Sequence, residues 1–137
     1  NENKVKVGAG NVEFRLAQID ETGIETDSVD VIISNCVIVL APDKDAVFRE
    51  SVRILRRGGR MHISDLMLTD ELPGYVSSDI DNWTHCLAGA ELINVYINRM
   101  RESGFSKVEI TSNVPYRGGS EEDWVSSIRS VNLLATN

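Results

Sequence analysis

The chain has 137 residues, enough for one domain, and is 42% hydrophobic and 26% charged, the balance of a globular protein with a real core. Its formal net charge of −7 argues against nucleic acid or an anionic membrane as the main partner, since both attract basic surfaces. No apolar run approaches the roughly 18 residues of a membrane span, the opening residues do not read as a secretory leader, and a cytoplasmic location is expected.

Strand and helix patterns alternate, which favours an α/β sheet. Asn11 to Ile19 partly alternates, with Val12, Phe14 and Leu16 on one face, and predicts a strand. Gly8 and Gly10 precede it without an apolar strand before them and read as a loop. Ser28 to Asn35 is a short apolar run with polar ends, the pattern of a buried parallel strand. Asp43 to Arg57 carries apolar residues at helical spacing. Pro42 suits its start and Gly58 its stop, with Arg56 and Arg57 at the negative end of its dipole. Arg60 to Leu68 predicts a second strand with Met61 and Ile63 on one face. Ser77 to Ala88 has room for one or two short helices. Glu91 to Ser103 predicts an amphipathic helix with Leu92, Ile93, Tyr96, Ile97 and Met100 inward. Phe105 to Thr111 predicts a strand, Gly118 and Gly119 a loop, and Trp124 to Thr136 a final strand preceded by one helical turn.

Two cysteines, Cys36 and Cys86, do not make a disulfide framework and read as reduced thiols. His62 alternates within its strand and reads as structural. Trp83 and Trp124 read as packing residues.

The stretch SVDVIISNCVIVLAPDKDAVFRESVRILRRGGRMHISDLMLTDELP, followed by HCLAGA, resembles the arsenite S-adenosylmethionine methyltransferases. The resemblance runs from Asn11 to about Phe105. It implies a class I methyltransferase fold: a Rossmann-like, mostly parallel sheet with helices on both faces and the ligand beyond the carboxyl ends of the strands. It implies that residues 1–137 form a partial S-adenosylmethionine-dependent domain, whose first strands and glycine-rich cofactor loop this chain does not contain. In the family topology those strands lie between the Asn11 and Ser28 strands, which would then not be neighbours. A homodimer is one way such a sheet could pair differently.

The resemblance also implies roles. Gln18, Ile19 and Asp20 would face the adenine, although the family usually has Glu where Gln18 stands. Asn35, Cys36 and Val37 would form the turn along the methionine end of S-adenosylmethionine. Cys86 would hold arsenic through its thiolate, because a soft centre takes a soft ligand. His85 beside it would lower the thiol pKa if its ring faces the sulfur. The family usually has a further cysteine near the final strand, where Ser130 stands here, and Cys36 is the remaining candidate for a second thiol. Three functions stay open: methylation of arsenite, methylation of carbon, oxygen or nitrogen in a small metabolite, and a truncated fragment without catalysis.

Overall fold

The computed structural model describes residues 8, 10–77, 89–116 and 123–137. The segment with Trp83, His85 and Cys86 lies outside these residues, as do the helices expected between Ser77 and Ala88 and the Gly118–Gly119 loop. Four strands form one mixed sheet: β1 (Val29–Asn35), β2 (Leu55–Leu68), β3 (Lys107–Pro115) and β4 (Ile128–Thr136), in the order β1-β2-β4-β3. β1 and β2 run parallel, and β4 is antiparallel to both β2 and β3. Helix α1 (Lys44–Ile54) joins β1 to β2. A short helix, α2 (Gly74–Ser77), and then α3 (Ile93–Glu102) lie between β2 and β3. Single 3-10 turns span Ile38–Leu40 and Asp123–Ser127, the second being the helical turn expected before the last strand.

α1 and α3 share one face of the sheet. Phe48 and Tyr96 meet edge to face, with ring centroids 5.3 Å apart. Both pack into one cluster with Met61, Ile63 and Met67 of β2 and Val131 and Leu133 of β4. This is the period-two side that the sequence marks at Met61 and Ile63. In α3, Tyr96 and Met100 are buried while Ile93 and Ile97 pack against the same cluster, as their spacing predicts. β3 begins two residues later than expected, because Phe105 enters the core before the ladder starts.

The expected strand at Asn11–Ile19 does not form. Its alternation is present, but among the described residues no neighbour supplies a ladder of hydrogen bonds. Phe14 and Leu16 stand exposed, and only an isolated bridge links Gln18 to Glu21. β1 pairs in parallel as expected, yet it is not buried. It lies at the edge of the sheet, and Val31 and Ile33 face outward.

The helix expected to reach Arg57 stops at Ile54, and Leu55 turns directly into β2, where it is wholly buried. Arg56 therefore stands at the start of a strand, paired with Asp30 at 2.6 Å, rather than at a helix end. The two glycines serve a bulge instead of a helix stop. Register jumps from Val29–Leu55 to Val31–Arg60, and Gly58 adopts φ 75°. A Cβ on Gly59 would come within 2.8 Å of the Arg56 carbonyl oxygen.

At the other end of α1, Asp43 rather than Pro42 makes the start. Its side chain accepts from the Ala46 N–H at 2.9 Å, satisfying a donor that the helix cannot. Asp43→Ala is expected to cost about 1 kcal/mol and lower Tm by roughly 3–4 °C, read by thermal unfolding. An unchanged Tm would show that solvent caps the helix equally well.

Candidate cofactor site

β1 ends beside β2, with Asn35 opposite Ser64, and β2 runs on in the same direction to Leu68. Beyond Asn35 the chain turns sharply. Cys36 takes φ 53°, a left-handed conformation unusual for a residue with a side chain. Its N–H donates to the Ser64 carbonyl at 2.8 Å, which ties the turn to β2. The Ile38–Leu40 turn then buries Ile38 and Val39 and leads into α1.

A cavity of about 250 Å³ opens between this turn, β1, α1 and the segment before β1. Ile19, Ile32, Val37 and Ile38 give it apolar walls, and Thr22, Ser34, Asn35, Glu50 and Ser51 are the polar groups among its lining. The Ser34 hydroxyl is buried and has no hydrogen-bond partner among the described residues. An apolar slot with an unsatisfied hydroxyl suits a flat heteroaromatic ring that carries polar edges. The size admits the adenine end of a nucleoside cofactor rather than the whole of it.

Of the residues singled out in the sequence, Ile19, Asn35 and Val37 meet in this cavity. Gln18 does not line it. It stands exposed on a turn, with its carbonyl accepting from the Glu21 N–H at 3.2 Å. The Cys36 side chain packs elsewhere, in a cluster with Leu66, Leu68, Ile128, Ala90 and Trp124. That cluster confirms Trp124 as a packing residue. Cys86 and His85 lie outside the described residues. Among the described residues no three His, Cys, Asp or Glu side chains gather as a metal site. Ser130 is half-buried on β4, between Leu66 and Val114. His62 stands exposed on the sheet face away from α1 and α3.

Two groups were not foreseen. Glu50 of α1 is 9% exposed and accepts from the Thr22 N–H at 2.9 Å, the Thr22 hydroxyl at 2.6 Å and the Arg53 guanidinium at 2.7 Å. Arg53 also donates to the Ile24 carbonyl and the Thr26 hydroxyl. Together they pin the segment that carries Ile19 onto α1. Arg53 first, with Thr22, holds the Glu50 pKa down at about 2 despite burial. The second group is Asp65, almost fully buried in β2. Its signal was readable: a carboxylate at an inward position of the alternating set Met61, Ile63, Asp65, Met67.

The chain belongs to a methyltransferase family: residues 1–126 match the family described as "Methyltransferase domain". Its similarity to individual proteins is more specific. It is 46% identical over 109 residues to an arsenite methyltransferase of Halobacterium salinarum, covering 80% of this chain and 28% of that protein. It is 42% identical over 85 residues to the arsenite methyltransferase of Mus musculus, covering 60% and 23%. Among solved structures it superposes with an arsenic(III) S-adenosylmethionine methyltransferase from Chlamydomonas reinhardtii at TM-score 0.80 and 34% identity. That match covers 97% of this chain and 46% of the other. The chain thus spans about a quarter of the length of these two relatives and just under half of the solved structure. The mixed sheet is that of the class I methyltransferase fold. No helix among the described residues is long and apolar enough to cross a membrane.

Proposed function

We propose that this chain is part of an S-adenosylmethionine-dependent methyltransferase that acts on trivalent arsenic in the cytoplasm. One observation carries the reading. Identity to arsenite methyltransferases reaches 46%, against 28% for a sarcosine/dimethylglycine N-methyltransferase over a similar span. The cavity at Ile19, Asn35 and Val37 supports it, because its size and lining suit the adenine. S-adenosylmethionine, when bound, supplies an electrophilic sulfonium methyl.

The residues of this chain would bind and orient. Ile19 and Val37 would pack on the adenine faces, and Ser34 would offer its unused hydroxyl to a ring edge. Cys86 would hold arsenic as a thiolate. No proton need be abstracted from a lone pair on arsenic, so the task is to place the centre and keep water away.

A second reading, methylation of a small amine or other metabolite, is favoured by Ser130 standing where a further cysteine was expected. The two separate in one assay. The full-length protein is given methyl-labelled S-adenosylmethionine with thiol-complexed arsenite, or with sarcosine. Label is expected on arsenic. Label on sarcosine with none on arsenic would sink the arsenic reading.

A further inference from the structure

We propose that Asp65 is a positioning residue for the Cys36–Ala41 turn, and so for cofactor binding. The proposal rests on the reading of that turn as the cofactor's. Asp65 occupies a core position on β2, between Ile63 and Met67, and is 2% exposed. Its Oδ2 accepts two hydrogen bonds, from the Val39 N–H at 3.2 Å and from the Tyr96 hydroxyl at 2.7 Å. One oxygen thereby joins β2, the turn and α3.

The far end of the turn is held in the opposite sense. Lys44, itself buried, donates from Nζ to the Ala41 carbonyl at 3.3 Å and lies 4.0 Å from Glu91. The turn thus meets an acceptor at Val39 and a donor at Ala41. Within it, Leu40 donates to Val37 and Ala41 to Ile38. Val37 and Ile38 line the cavity, so what fixes Val39 fixes the wall two residues away.

The carboxylate is costly to bury, and the donors it holds offset that cost. Burial raises its pKa, against the Tyr96 and Val39 donors and the Lys44 charge, which lower it. Replacing this carboxylate alone by an apolar side chain leaves the Val39 N–H and the Tyr96 hydroxyl buried and unpaired. What an apolar side chain cannot do is hold a backbone N–H in a turn that Cys36 enters in the left-handed conformation.

The test uses Asp65→Asn, which keeps an acceptor oxygen, Asp65→Leu, which has none, and Tyr96→Phe, which removes the phenol. Two quantities are read on the full-length protein: S-adenosylmethionine affinity by calorimetry, and amide exchange at Val39 relative to Leu133 in mid-β4. In Asp65→Leu, Kd is expected to weaken by about tenfold and Val39 exchange to quicken by about tenfold over Leu133. Asp65→Asn should stay close to wild type, with Tyr96→Phe between. KM for the methyl acceptor should hardly move. Wild-type affinity in a folded Asp65→Leu, or equal quickening at Val39 and Leu133, overturns the proposal. Failure of the wild type to bind S-adenosylmethionine overturns the cofactor reading and the proposal with it. Exchange at Val39 then still reports whether Asp65 locks the turn, so the two failures are told apart.

Discussion

Cys86→Ser is expected to cut methyl transfer to arsenite by at least about 100-fold while leaving S-adenosylmethionine affinity unchanged. The substitution changes one atom. Serine keeps the size and a lone pair, but oxygen is a hard donor and arsenic(III) prefers thiolate sulfur. The serine hydroxyl also stays protonated at neutral pH, whereas a thiol can ionise. Small displacements of a reacting centre already cost large factors in rate, and loss of the ligand should cost more. The check is a pair of measurements on the full-length variant: labelled methyl on arsenic, and cofactor affinity by calorimetry. Full transfer by Cys86→Ser would remove the thiolate from the reaction. Loss of both readouts would mean a damaged fold rather than a lost ligand.

Glu50→Ala is expected to destabilise the protein by on the order of 2 kcal/mol at neutral pH, and to release the Asp20–Asp27 segment from α1. The side chain takes two bonds from Thr22 and a forked pair from Arg53, and all are lost together. The carboxyl pKa is held at about 2, below its unfolded value near 4.3. A lowered carboxyl pKa stabilises the fold fully above the unfolded value. That stability drains as pH falls from about 4.5 through about 2, where the carboxyl protonates even when folded. Full use of the shift would exceed the figure given, but the Arg53 side chain is 38% exposed and solvent screens the pair. Denaturant unfolding of wild type and Glu50→Ala should therefore differ at pH 7 and converge by about pH 2. A constant gap between the two would assign the effect to packing rather than to charge.

Sequence pattern reached the two long helices and all four strands, because each writes its period within its own residues. α1 and α3 repeat every three to four residues, and β2 alternates at Met61 and Ile63. Val12, Phe14 and Leu16 alternate as well, yet a strand exists only where another strand accepts its hydrogen bonds. Alternation cannot carry that fact. The helix end at Ile54 was missed for a similar reason. Gly58 looks like a helix stop, and only the pairing of Leu55 with Val29 shows it to be a bulge in β2.

The site was legible in proportion to how local it is. Asn35 and Val37 follow a strand end directly, and family resemblance named them. Glu50 and Asp65 act across 28 and 26 residues of chain, on Thr22 and Val39, and no spacing rule links such partners. Gln18 stands exposed on a turn rather than at the end of a strand, because the strand that would carry it does not form.

Along its outer edge β1 offers seven residues of backbone that no described strand takes up, beside Ile33 with four-fifths of its surface exposed. Neither proline nor lysine interrupts Val29–Asn35, and Asp30 is its lone charge. Such an edge is a template, ready to bind any extended chain that reaches it. In concentrated solution its most abundant visitor is another copy of itself. These 137 residues on their own are expected to self-associate along β1, and Ile33→Lys is expected to oppose it.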